Sequence, residues 1–189
     1  MRNVILSMMV SLDGQIARPD GNLDWFLTDA DFEDEMLGLL NSVDAMIFGR
    51  VSYELLKEYW PTAGSSAEQA PGGFTSNERE VEFARLMNTI PKIVFSRTLE
   101  HADWGPVTIE REVHADAIGG RKVVVFAGAS IATAFMNLDL VDEYRVMVHP
   151  IVLGKGIPLF AKLEEERTLA LQRTVRFGSG VVLLEYGRA

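Results

Sequence analysis

Three places along the chain put small and basic residues directly after an apolar run. Ala45 to Phe48 is followed by Gly49, Arg50, Val51 and Ser52. Ile93-Val94-Phe95 is followed by Ser96 and Arg97, and Val123 to Phe126 leads through Ala127 to Gly128, Ala129, Ser130 and Ile131. Glycine at such a turn removes the Cβ and lets backbone approach a ligand. The first free amides of a helix, with the positive end of its dipole, form an anion site, and a guanidinium beside it suits a phosphate. The same strand-glycine-helix pattern also serves plain packing, so each turn alone is either a ligand site or scaffold. Two such turns in one chain, with Ser96 and Arg97 at a third strand end, favour a ligand with more than one phosphate. A fourth candidate is Asp13, in the break Ser11-Leu12-Asp13-Gly14 after the first apolar run. It is either a functional loop residue at a strand end or a turn residue bonding its own backbone.

The elements that must carry these residues follow from hydrophobic pattern. Asn3–Val10, Ala45–Phe48, Ile93–Phe95, Val107–Ile109 and Val123–Phe126 are short apolar or β-branched runs, as strands buried on both faces of a parallel sheet would be. Thr28 is the expected cap of a helix with acidic residues in its first turn and a stripe of Phe32, Met36, Leu39, Leu40 and Val43. Those carboxylates read as dipole partners before catalysts, and Trp25, just ahead, as a hydrophobic anchor or a ligand wall. Ser130 is the expected acceptor for the amides opening a later helix, with Ile131, Phe135 and Leu138 on its apolar face. Asn77 with Glu80 predicts a capping box. The stretch 60–74 reads as a polar surface loop. Glu143–Pro150 alternates as a strand with Tyr144, Val146 and Val148 on one face, and Leu169–Phe177 with Gly180–Tyr186 predict an antiparallel pair.

At 189 residues, 48% hydrophobic and 24% charged, the chain is expected to form one domain spanning 1–189. It has no cysteine, which excludes thiolate chemistry. His101, His114 and His149 lack metal-ligand spacing, and His149, in an apolar strand, reads as structural. No serine-hydrolase elbow, Walker loop or full dinucleotide fingerprint is present. A net charge of −9 argues against nucleic acid as partner. No apolar run reaches membrane-spanning length. Met1 leads straight into an apolar strand with no basic leader or cleavage site, so the cytoplasm is the expected compartment.

Five segments together carry a resemblance: Ser-Leu-Asp-Gly-Gln-Ile-Ala at 11–17, Ile-Phe-Gly-Arg-Val-Ser-Tyr-Glu at 47–54, Phe-Ser-Arg-Thr-Leu at 95–99, Phe-Ala-Gly-Ala-Ser at 126–130, and Leu-Val-Asp-Glu at 140–143 followed by Pro-Ile-Val-Leu-Gly-Lys-Gly-Ile-Pro-Leu-Phe at 150–160. In order and spacing the chain resembles the dihydrofolate reductase superfamily, in the branch related to the reductase domain of the bacterial riboflavin-pathway deaminase-reductase. The resemblance implies an α/β/α three-layer sandwich on a mostly parallel sheet with an antiparallel C-terminal edge. It implies hydride transfer from NADPH to a pterin-like or ribitylamino-pyrimidine-like molecule, or NADP binding on the same fold without turnover, and a homodimer. Gly49, Arg50, Val51 and Ser52 would then face the cofactor phosphates, Ser96 and Arg97 its 2′-phosphate, and Gly128 to Ile131 its pyrophosphate. Asp13 would be catalytic, and Ser11, Trp25, Asp31 and Tyr53 would border the substrate. Gln15 stands where riboflavin-pathway reductases usually carry lysine. The fifth residue after Trp25, where dihydrofolate reductases carry a carboxylate, is Ala30, between Asp29 and Asp31. The substrate therefore stays open.

Overall fold

The apolar runs assemble into one eight-stranded sheet. The computed structural model describes residues 2–63, 74 and 77–189. Its elements are β1 (Asn3–Ser11), β2 (Gln15–Ala17), α1 (Ala30–Asn41), β3 (Ala45–Gly49), α2 (Arg50–Tyr59), α3 (Asn77–Thr89), β4 (Lys92–Phe95), β5 (Val107–Glu110), β6 (Lys122–Val125), α4 (Ala129–Asn137), β7 (Glu143–His149), β8 (Ile157–Pro158), β9 (Leu169–Arg176) and β10 (Val182–Arg188). The sheet order is β5-β4-β3-β6-β1-β7-β10-β9, and β2 pairs with β8 separately. Every pairing from β5 to β7 is parallel, whereas β10 runs antiparallel to both β7 and β9. This is the mostly parallel α/β sheet with an antiparallel C-terminal edge that the sequence leads one to expect.

Both faces of the sheet are covered, which is why its central strands are apolar throughout rather than alternating. On one face Ile5, Met46, Phe48, Val124 and Met147 pack against α1, α2 and α3. On the other, Leu6, Ile47, Val123 and Val125 pack against Ala132, Phe135 and Met136 of α4. Adjacent strands β3 and β6 therefore send their helices to opposite faces, the arrangement that opens a crevice at the C-terminal ends of a parallel sheet.

Several local expectations are corrected. The cap of α1 is Asp29, not Thr28: its carboxylate accepts from Phe32 N at 2.9 Å and also from Ser179 N, tying the helix start to the turn before β10. Gly128 is the cap residue of α4, which leaves Ser130 within the first turn. Leu138 lies at the C-terminal end of α4 and is exposed, and Ala132 and Met136 fill the place foreseen for it. The side chain of Asn77 lies outside the described residues, as do residues 75–76 and residues 64–73 of the expected loop. Its flanks are not polar surface, since Trp60 is buried and Phe74 packs on it and on Phe83. Glu80 accepts from the Tyr59 hydroxyl.

Beneath the opposite end of β4, Lys92 is 1% exposed, donates to Ile90 O at 3.0 Å and lies 4.6 Å from the centre of the Trp104 ring. Burial pushes its pKa from 10.5 down to about 8. Below pH 8 the ammonium is charged in both folded and unfolded chains and the full desolvation cost opposes folding. The cost fades as pH rises from about 8 to 10.5, because only the unfolded chain then still holds the proton. Lys92→Met is accordingly expected to raise stability in urea at pH 7 by about 1–3 kcal/mol, with the advantage shrinking above pH 8.

Candidate functional site

Strand β3 ends at Gly49 and α2 begins at once. Strand β6 ends at Val125 and, three residues later, Gly128 opens α4. Both glycines have extended backbone, and neither helix start receives a side-chain cap. In α4 the first intrahelical donors are Ile131 and Ala132, both onto Gly128 O at 3.2 Å, so the amides of Ala129 and Ser130 come before the ladder. Without a capping oxygen these donors and the dipole end remain available to an anion. The two starts also touch. A Cβ on Gly49 would stand 2.9 Å from Ile131 Cγ1, and one on Gly128 would stand 3.7 Å from Ser52 Oγ. Glycine at 49 is therefore what lets α2 and α4 begin side by side.

These residues form one end of a cavity of about 610 Å³ between α1, α2, α3 and the sheet. Gly49, Arg50, Val51, Ser52, Gly128, Ala129, Ser130 and Ile131 all line it, so the structure brings together two of the three strand ends singled out by sequence. Arg50 reaches Glu54 at 2.7 Å on the half-exposed face of α2, a surface pair that is easily exchanged for another anion. From the third strand end, Phe95 lines the cavity, while Ser96 and Arg97 do not. The Ser96 hydroxyl accepts from Thr98 N and Leu99 N at 3.2 and 2.9 Å. Arg111, which sequence reasoning passed over, clamps that turn by donating to Ser96 O and Leu99 O at 2.9 and 2.7 Å. Arg97, two residues beyond Phe95, is 81% exposed, with Glu112 at 3.7 Å.

The expected substrate-side residues are not brought to the cavity. Asp13 is exposed on a loop, where its carboxylate accepts from Ser11 Oγ at 2.7 Å, Leu153 N at 3.0 Å and Gly154 N at 2.8 Å. Those bonds, that of Ser11 foremost, hold its pKa near 2, and the ionised carboxylate latches two loops together. Ser11 is buried and accepts from Gln15 N at 2.9 Å. Tyr53 is buried, and its hydroxyl accepts from Asp103 N and Trp104 N at 3.1 and 2.8 Å, a structural role under β4. Asp31 is exposed on the outer side of α1. Trp25 is buried edge-on to Phe26 and His149, supporting the wall from behind, and it is Phe26 that lines the cavity.

In their place stands a residue the sequence reading did not single out. Glu33, one turn into α1, is buried and lines the cavity beside Phe32 and Met36. The signal was a carboxylate inside the helix's apolar stripe, adjacent to Phe32. Among the described residues no cluster of His, Asp and Glu could hold a metal ion, and no helix is long and apolar enough to cross a membrane.

Residues 2–183 match the family model described as the RibD C-terminal domain. Over 192 residues, covering 98% of this chain and 94% of the relative, the sequence is 34% identical to uncharacterized protein YyaP of Bacillus subtilis (strain 168). Among solved structures, a candidate riboflavin biosynthesis protein of Shewanella sp. PV-4 superposes with a TM-score of 0.74 at 22% identity, covering 100% of this chain and 99% of that one. Dihydrofolate reductase of Enterococcus faecalis, solved with NADP(H), superposes with a TM-score of 0.60 at 14% identity, covering 98% and 96%.

Proposed function

The chain belongs to the RibD C-terminal domain family, and on that premise we propose that it is an NADPH-dependent reductase acting on a small heteroaromatic molecule held in the cavity against α1. One observation carries the reading: adjacent parallel strands β3 and β6 each lead to a glycine that opens an uncapped helix, Gly49 at the end of β3 and Gly128 three residues after β6, and the two starts meet at one end of a single cavity. Such a pair fits a pyrophosphate, which needs amide donors and backbone within contact distance. The Enterococcus neighbour's complex with NADP(H) agrees with that choice of ligand.

In this reading the amides of Ala129 and Ser130 and the Ser52 hydroxyl would hold the pyrophosphate, and Arg50 would exchange Glu54 for it. When bound, the nicotinamide supplies the hydride. The protein's own part is alignment and exclusion of water. The apolar wall of Phe32, Met36 and Phe126 keeps the cavity dry, and Glu33 fixes one edge of the acceptor, so that the reacting faces are held at near-attack distance. Arg97, exposed and loosely paired, is assigned to the 2′-phosphate in this reading. Its replacement is the test: Arg97→Ala should weaken NADPH by about 10- to 100-fold and leave NADH within about threefold, measured by titration of each. Equal losses for the two cofactors would remove Arg97 from that role.

A further inference from the structure

Residues from both ends of α2 line the cavity. Arg50 to Ser52 belong to the glycine-led starts, whereas Leu55, Leu56 and Trp60 lie farther along and meet Phe74 and, from α3, Phe83 and Met87. The side chains at that far end are uncharged, and one polar atom is buried among them. Trp60 is 5% exposed, and its indole Nε1–H has no hydrogen-bond partner among the described residues. Tyr59 and Phe74 stand edge-on to its ring, at 5.0 and 6.0 Å between centres, which packs the indole without supplying an oxygen. Asn88 shows that an acceptor was within reach: its Nδ2 donates to Trp60 O at 2.9 Å, while its Oδ1 serves the Trp104 indole at 2.6 Å. Trp25 Nε1 also lacks a partner, but Trp25 stands behind the wall and does not line the cavity. A buried indole N–H usually finds an acceptor, and leaving one unmade costs about 1–3 kcal/mol.

We propose that the α2–α3 end of the cavity is a subsite for an uncharged, apolar substituent of the substrate that carries a single hydrogen-bond acceptor, a carbonyl oxygen, held by Trp60 Nε1–H. An indole N–H only donates, so the atom opposite it must accept. A carboxylate or phosphate taken there would lose its hydration and meet no cation, since Arg50, the one basic residue among the described lining residues, belongs to the opposite end of α2. A chain of hydroxyls would bury several oxygens against one donor. A ketone on an apolar body brings one oxygen to one N–H and leaves its carbon surface to Leu55, Phe83 and Met87, which adapt to its outline. The ten residues Arg50–Tyr59 rise about 15 Å, so this subsite and the proposed pyrophosphate site fill independently. The inference rests on the reductase reading only in taking the cavity as the substrate site.

Three naphthalenes of like shape test it: 2-acetylnaphthalene, 2-isopropenylnaphthalene, in which a methylene replaces the oxygen, and 2-naphthoate. Each is titrated into isotope-labelled protein, free and saturated with NADP⁺, with the indole N–H resonances as the readout. The ketone should move the Trp60 indole proton downfield and saturate, the alkene should bind with little movement there, and the naphthoate should not saturate. Trp60→Phe keeps a ring in the wall and the backbone carbonyl for Asn88, and breaks no hydrogen bond of the empty protein. It should weaken the ketone by about tenfold and leave the alkene within about threefold. If that variant does not fold, the contrast between ketone and alkene at the wild-type indole decides. An indole resonance that moves alike with both, equal losses for both in Trp60→Phe, or naphthoate binding as tight as the ketone would overturn the proposal, as would displacement of the ketone by NADP⁺. A protein that shows the expected pattern but does not bind NADP⁺ would sink the reductase reading and leave the subsite standing.

Discussion

Gly128→Asp is expected to raise the Kd for NADPH by roughly a hundredfold while the protein stays as stable as before or becomes slightly more so. Residue 128 has the extended backbone of a cap position, and an added Cβ meets only Ser52 Oγ, at an ordinary 3.7 Å. An aspartate there can accept from the amides of the α4 first turn, and replacing glycine by aspartate at a cap gains a few tenths of a kcal/mol. The same carboxylate would occupy the donors offered to the pyrophosphate and repel it. At about 4 Å and an effective dielectric near 20, like charges cost about 4 kcal/mol, enough for a hundredfold loss. Opposite movement of melting temperature and affinity separates this outcome from a folding defect. An unchanged Kd would mean that the α4 start is scaffold only.

Acidification from pH 6.5 to 4 should remove about 3 kcal/mol of stability through one side chain, His149. It is fully buried at the end of β7, with its ring 5.3 Å from and stacked on Phe26, edge-on to Trp25, and its Nδ1 accepting from Leu27 N at 3.1 Å. Burial lowers its pKa from 6.5 to about 4. Between those values the unfolded chain binds the proton and the folded chain does not, so stability falls as pH falls and the loss is complete near pH 4. His149→Gln, which keeps an acceptor for Leu27 N but does not titrate, should flatten the urea midpoint against pH across that window. Carboxylates with lowered pKa, such as Glu35, Glu185, Asp13 and Asp44, begin to withdraw stability only below about pH 5, so the His149 contribution is read as the difference between wild type and variant, most cleanly above pH 5. If wild type and variant lose stability in parallel between pH 6.5 and 4, His149 is not the group responsible. Phe26 and Phe32, which pack on this ring, also line the cavity, so the wall should loosen with it.

The parallel sheet and its helices were legible because periodicity records burial directly: Val123 to Val125 sit between two layers and are apolar without interruption. The two glycine-led helix starts were legible for a similar reason, since a glycine after a strand and before a helix constrains backbone locally. The rest of the cavity was not, because its wall is defined by long-range contact. Asp13 sits after a strand as a functional loop residue would, yet the amides that occupy it come from residues 140 positions away and more. Tyr53 follows the glycine turn but points under β4 onto Trp104. Glu33 differs from Asp31 only in helical phase, by about 200°, which is the difference between lining the cavity and facing water. That phase depends on where α1 begins, and helix starts are the least certain boundaries in a sequence.

The most direct measurement is a titration of isotope-labelled protein with NADPH, followed by amide NMR. Strong, saturable shifts at Arg50, Val51, Ala129 and Ser130 together, with small ones on the outer face of α1, are the result expected if the two glycine-led helix starts grip one dinucleotide. Saturation with shifts at only one of the two starts, or at neither, would contradict the shared site and with it the assignment of a reductase.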